Sequence, residues 1–276
     1  MAEIRIEGSF ELLSQNEWDR YLGVDLFDKM RLDMSRFGVS TEGIPDLSHP
    51  RLAEIIQQHN NKVGSLAITY ALTRHYFDKG IPDDPWYISP GKEGQSIQYF
   101  PEFKEEHWMR RYWFNYFSDT FYLKISSVWD SMIEILNHFY GLGHPNDLRL
   151  RNKVIDWLKQ NANDVALAFT GILQNQIYIN AQFYRTLAAH GTSAASVVNT
   201  IESKKDEWVD IIDHDASGKI LLDDSGRPIM KKVKAKAVIS MRVGDYVNVS
   251  TILKNMEDYS RYSGQKIQEI VGLILI

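Results

Sequence analysis

Between Pro101 and Tyr140 the chain repeats large apolar side chains at steps of three and four: Trp113, Phe117, Phe121, Ile125, Val128, Met132, Ile135 and Phe139. That spacing places all eight on one stripe of a helix. Tyr112, Tyr116, Tyr122 and Trp129 widen the stripe. A helix this broadly apolar belongs at the centre of a bundle, or turns its second face to another subunit. Pro101 suits the first helical position, and Gly141-Leu142-Gly143 followed by Pro145 supplies a stop. One long helix over 101–140 is therefore expected, and the rest of the fold must be arranged around it.

The flanking segments support that arrangement. Leu52, Ile55, Ile56, Val63, Leu66, Ile68, Leu72 and Phe77 predict a helix from Arg51 to about Lys79, ended by Gly80-Ile81-Pro82. Ahead of it, Ile4 to Leu13 alternates weakly like a short strand, and Asn16 is a plausible cap for a helix running towards Phe37. Gly38 to Pro50 reads as a loop, as does the proline- and glycine-rich connection through Asp84-Pro85-Trp86-Tyr87 and Ser89-Pro90-Gly91. After the long helix, a short one is expected over Asp147–Gln160. The next, from Asn161 or Asn163 to His190, turns Val165, Phe169, Ile172, Ile179 and Phe183 inward and stops at Gly191.

Beyond Gly191 the pattern changes. Thr192 to Lys205 could form one more short helix, after which Glu207–Ile212, Lys219–Leu222 and Ile229–Met241 read as strands. The segments Asp213 to Gly218 and Asp224 to Pro228 between them are rich in turn formers. A helical stretch from Val249 to Ile276 closes the chain. The expected fold class is mainly α: a helical bundle with a small antiparallel β insertion, at about 207–241, before the C-terminal helix. Residues 1–50 read as an N-terminal appendage and 51–276 as the bundle.

With 276 residues and 44% apolar content, the chain has ample material for a core. It contains no cysteine, which removes disulfides, thiol nucleophiles and thiolate zinc sites, and fits a reducing compartment such as the cytoplasm. No apolar run approaches the roughly 20 residues of a membrane span, and the first residues lack the apolar centre of a secretory signal, so a soluble protein without a membrane partner is expected. A formal net charge of -5 argues against binding nucleic acid through bulk electrostatics, leaving room for a local site.

Familiar chemistries find no footing. Phosphate loops, dinucleotide-binding glycine motifs and nucleophile elbows are missing from the sequence. Di-iron bundles use Glu-x-x-His on two helices, whereas here Glu134 precedes His138 by four residues and Glu54 precedes His59 by five. Asp213-His214-Asp215 has ligand-type side chains but sits where a hairpin turn needs the same residues. The sequence implies neither a cofactor nor a metal. One basic island stands out: Lys232, Lys234 and Lys236 fall on one face of a strand, suited either to shielding an exposed edge or to contacting RNA phosphates.

The remaining chemical feature is Arg185-Thr-Leu-Ala-Ala-His190-Gly191. It joins a permanent cation to a titratable base, enough to cleave an RNA phosphodiester without a metal. Five residues turn a regular helix by about 500°, so the two side chains diverge by about 140°. For both to reach one phosphate, either the helix distorts near Gly191 or two chains build the site together.

The chain resembles the HEPN superfamily, whose active members carry Arg-x(4 to 6)-His on a helical bundle. The matching residues are Arg185 and His190, preceded by Gln182-Phe183-Tyr184, and the long aromatic helix from Phe121 to Tyr140 resembles that of the branch with inserted strands. The resemblance spans about residues 50–276. It implies a homodimer with two motifs facing one cleft, and RNA cleavage in phage defence, toxin–antitoxin pairs or stress response, with a protein antitoxin or regulator as a possible partner. In that setting His190 takes the proton of a ribose 2'-hydroxyl while Arg185 holds the phosphate, giving a 2',3'-cyclic phosphate and a 5'-hydroxyl. Thr186 stands where active members often have asparagine, and Lys232, Lys234 and Lys236 are further candidates for substrate binding. The alternative is a catalytically silent HEPN-like module that binds a protein or nucleotide.

Overall fold

The computed structural model describes residues 10–275 apart from 24, 39–49, 84–85, 89–96, 100–102, 191–192, 194–198, 214, 216, 218, 225 and 244–246. Two compact units are formed, Met1–Ser196 together with Val247–Ile276, and Val197–Tyr246.

The first unit is a helical bundle. Its elements are α1 (Gln15–Leu22), α2 (Pro50–Asp78), a hairpin of β1 (Trp86–Ile88) and β2 (Ile97–Tyr99), α3 (Glu105–Phe139), α4 (Leu150–Asn161), α5 (Asn163–Thr170), α6 (Gln176–His190) and α7 (Val249–Ile274). Helix α3 is the axis expected from its stripe. Phe117, Phe121, Ile125, Val128, Met132 and Ile135 are buried, as are Tyr122 and Trp129 on the widened side. Tyr112 and Tyr116 are not: both are exposed, because the widening is used only along the middle of the helix, where α6 and α7 pack opposite α2.

Polar contacts fix how these helices meet. The Tyr122 hydroxyl donates to Asn255 Oδ1 at 2.8 Å, joining α3 to α7 inside the core. His59 of α2 is fully buried; its Nε2 lies 2.8 Å from the Met30 carbonyl and its Nδ1 2.9 Å from Ser131 Oγ. A carbonyl only accepts, so in the neutral ring Nε2 carries the proton and Nδ1 presents its lone pair to the Ser131 hydroxyl, which also donates to the Val128 carbonyl at 2.7 Å. Burial pushes the pKa of this imidazole down to about 4, keeping it neutral. It therefore acts as a pin between α2, α3 and the segment around Met30. Glu54 and Glu134, whose spacings to His59 and His138 were weighed as metal sites, both pair with Arg51, at 2.7 and 3.6 Å.

Several expected boundaries move for local reasons. The helix expected to run from Asn16 towards Phe37 is instead the short α1, capped by Ser14, followed by two 3-10 turns at Asp28–Met30 and Met34–Phe37. Ser14 and Glu17 cap each other's backbone, the Ser14 amide donating to Glu17 Oε2 at 2.8 Å, and this reciprocal pair outcompetes Asn16. Residues 10–13 have no regular structure, and the start of the proposed strand lies outside the described residues. Met30 and Leu32 nevertheless belong to the core. The loop after α2 contains the β1–β2 hairpin, with Trp86 opposite Tyr99, whose strands are too short to show alternation.

The largest departure is the helix expected to reach His190 unbroken. A 3-10 turn at Gly171–Gln174 and extended Asn175 divide it into α5 and α6, and Asn175 Oδ1 accepts from the Ile177 amide at 2.8 Å to start the second helix. The interruption resets the helical phase. Val165, Phe169 and Ile172 are buried as expected, but Ile179 and Phe183 are 45% and 55% exposed, while Ala181 and Tyr184 face inward.

The second unit is a long antiparallel hairpin, β3 (Asn199–Ile212) with β4 (Met230–Val243), registered from Asn199 opposite Val243 to Ile212 opposite Met230. The short helix expected up to Lys205 is replaced from Asn199 onward by β3. The third strand, over Lys219–Leu222, reduces to isolated pairings at the hairpin tip: the Leu221 amide donates to the Asp213 carbonyl and Leu222 bridges Pro228. Asp215 and Asp223 tie up amide groups of Ser217, Lys219 and Arg227, as turn-forming aspartates do.

Candidate active site

The arginine–histidine pair lies on α6, which is continuous from Gln176 to His190. Five residues of regular helix separate the two Cα atoms by about 7.5 Å along the axis and turn their side chains about 140° apart. Distortion at Gly191, one of the two ways to bring them together, falls outside the described residues. Within one chain they occupy different surroundings.

Arg185 is exposed, with no hydrogen bond or ion pair among the described residues. Its side chain lines a cleft of about 110 Å³, shared with Ser126 and Asp130 of α3, Arg151 of α4, and Tyr178 and Gln182 of α6. Arg151 Nη2 pairs with Asp130 Oδ1 at 3.1 Å, and its guanidinium lies 5.9 Å from the Phe169 ring centroid. Two guanidiniums and one carboxylate thus share the cleft, leaving it with excess positive charge. Sequence reasoning assigned no role to Arg151, since a single arginine on a short amphipathic helix carries no signal until α4 folds against α3.

His190 is the last residue of α6 and is also exposed. Ile179 and Phe183 precede it by eleven and seven residues, which puts all three within about 40° of one another on the helix surface. An open imidazole therefore sits at the end of an exposed apolar strip. Just beyond it, the Ser193 hydroxyl donates to Asp119 Oδ1 of α3 at 2.9 Å. Burial holds the Asp119 carboxyl up at about 6, against the small opposing effect of that hydrogen bond. A second titratable group therefore lies near the histidine end of the helix, one the sequence did not advertise because Asp119 interrupts the apolar pattern of α3 like any solvated residue.

The other candidates fall elsewhere. Thr186 is exposed, and its hydroxyl donates to the Gln182 carbonyl at 2.8 Å, so its proton is committed to its own helix. Lys232 and Lys234 are exposed on β4 in the second unit. Lys236 lies in the same strand, its side chain outside the described residues. Lys234 stands opposite Trp208, which is 67% exposed, and Lys232 is registered opposite Asp210. The lysines belong to a different unit from Arg185 and His190.

A family model described as HEPN_Cthe2314-like HEPN matches residues 56–243, from within α2 to the end of β4. The chain belongs to the HEPN superfamily. The match covers well over half of the chain and takes in the long aromatic helix, the Arg185–His190 motif and the inserted hairpin. At the level of the family, HEPN membership carries a nuclease-like or RNA-related function. HEPN domains often bind RNA and form dimers. No curated protein and no solved structure matches the chain. Among the described residues, no helix is long and apolar enough to cross a membrane.

Proposed function

We propose that this HEPN protein is an endoribonuclease that cleaves RNA through attack of the ribose 2'-hydroxyl, with its site assembled by two copies of the chain. The observation that carries the reading is the state of the motif side chains. Arg185 is open to solvent, with no acid bound to it among the described residues, and His190 is equally open at the end of a strip, Ile179 and Phe183, that a second copy would cover.

The chemistry follows from the two groups. A neutral His190 removes the 2'-hydroxyl proton, and the oxygen attacks phosphorus. The P–O5' bond breaks, and an imidazolium returns a proton to the leaving 5'-oxygen. A guanidinium at Arg185 holds the non-bridging oxygens as charge builds on them. Because the two side chains diverge on one helix, the base and the cation acting on one phosphate come from different copies related by a twofold axis. The nucleophile belongs to the substrate, so the step calls for no metal-bound water, and DNA is inert for want of that hydroxyl.

The second reading, a silent module that binds RNA or a protein, draws on the divergence of the pair within one chain and on the Thr186 hydroxyl being spent on its own helix. Incubating the protein with total RNA or tRNA in EDTA, beside Arg185→Ala and His190→Ala, separates the two. Cleavage by the parent alone, leaving 2',3'-cyclic phosphate ends, supports the nuclease. Equal cleavage by all three proteins means a contaminant, and binding without cleavage supports the silent module.

A further inference from the structure

The cleft holding Arg185 adjoins a larger, half-open cavity of about 620 Å³, lined by Ile133, Asn146, Asp147, Leu148 and Leu150, and the two cavities share Asp130 and Arg151 as lining residues. The larger one is well within the ~300–1,000 Å³ range of small-molecule pockets. Ile133 and Leu150 make much of its floor apolar, and Leu148 at its rim is fully exposed. The Asp130–Arg151 pair thus stands at the waist between two adjoining hollows, which together make a surface groove with the Arg185 guanidinium on one side and a mixed polar and apolar recess on the other.

We propose that this groove is a subsite for the RNA strand next to the bond being cleaved: Arg151 grips the neighbouring phosphate, and the recess beside Leu148 receives the nucleoside attached to it. This rests on the nuclease reading for its substrate, but concerns binding alone. Arg151 is built for exchange. Its side chain is 41% exposed and that of Asp130 is 66% exposed, so the pair is held weakly in water, and a phosphodiester, which offers the same single charge and two non-bridging oxygens to the guanidinium fork, can take the place of the carboxylate. The Arg151 guanidinium also lies 5.9 Å from the Phe169 ring centroid, a cation–π contact that keeps the head group at the waist while its partner changes. Arg185 and Arg151 then meet successive phosphates from α6 and α4, while Asp130 weakens anion binding and excludes strands that cannot displace it.

The test measures binding of a single-stranded oligonucleotide carrying 2'-O-methyl groups, which lacks the attacking hydroxyl and stays intact, by fluorescence anisotropy over a series of salt concentrations. Arg151→Gln is expected to weaken binding roughly 10-fold and to lower the salt dependence by about one phosphate contact. Arg151→Lys should recover part of the loss, and Asp130→Asn should bind more tightly than the parent, because it frees the guanidinium and removes a carboxylate. Asp130 is exposed and Arg151 half-buried, and matching thermal melts confirm that the variants fold. Parent-like affinity and salt slope in Arg151→Gln, or weaker binding in Asp130→Asn, overturns the proposal. If the Arg151 and Asp130 effects appear while no protein cleaves unmodified RNA, the groove stands and the nuclease reading fails. If cleavage depends on His190 but binding ignores Arg151, the reverse holds.

Discussion

The divergence of Arg185 and His190 on α6 leads to a sharp expectation about mixtures of inactive variants. In a twofold dimer each working pair takes its base from one copy and its guanidinium from the other. Arg185→Ala retains every His190 and His190→Ala retains every Arg185, so each homodimer lacks any complete pair. When the two variants are mixed and allowed to exchange, about half of the dimers are mixed, and each mixed dimer contains one complete pair of the two in the parent. The recovered rate should therefore approach roughly a quarter of the parental rate per chain. Cleavage of a short fluorescent RNA in EDTA supplies the rate, and native mass spectrometry verifies the exchange. A mixed pool that stays at the level of the separate variants, with mixed dimers demonstrated, refutes assembly across two chains. It would also leave one regular helix to bring together side chains about 140° apart, which it cannot do.

Three further outcomes test other parts of the structure. The neutral His59 has a pKa of about 4 in the fold, below the ordinary 6.5 it regains on unfolding, so the unfolded chain binds more protons between those values. Its contribution is complete above about pH 6.5 and fades as pH falls towards 4, amounting to roughly 2 kcal/mol lost at pH 5; urea unfolding at pH 7.5 and 5.0 should show that loss in the parent and a flatter response in His59→Gln, and equal responses would remove His59 as the cause. Tyr122→Phe leaves buried Asn255 Oδ1 without its 2.8 Å donor and should cost about 1–2 kcal/mol in the same assay, an unchanged midpoint contradicting the α3–α7 tie. Phe183→Glu, on the exposed strip leading to His190, should shift the dimer to monomer in sedimentation and abolish RNA cleavage while leaving the melting temperature near the parental value; a dimer that survives the charge places the interface elsewhere.

How much of this was legible beforehand varied with the kind of signal. Long amphipathic patterns carried well: α2, α3 and α7 end close to where their stripes and glycines predicted. Gly80 and Gly141 take the positive φ values, 88° and 62°, that a helix stop exploits. Short-range competition carried poorly. Nothing in the run from Val165 to His190 announces that Gly171–Asn175 will break it, yet that break decides that Tyr184 is buried and Phe183 is not. The inserted strands were recognised by alternation. Their start at Asn199 was obscured by the helix-compatible composition of Thr192–Lys205, and cross-strand pairing with β4 overrode that local preference.

The sequence by itself determined the helical class, the central helix and the arginine–histidine motif, because each rests on local periodicity or on residue chemistry at a fixed spacing. Tertiary structure alone decided which groups keep company: that Arg151 joins Arg185 at one cleft, that a half-buried Asp119 accepts from Ser193, and that His59 is a neutral core pin rather than a ligand. Those outcomes depend on burial and on neighbours from distant helices. Spacing along a chain fixes a residue's direction on its own helix, but the dielectric and the charges it meets are set only when the helices pack.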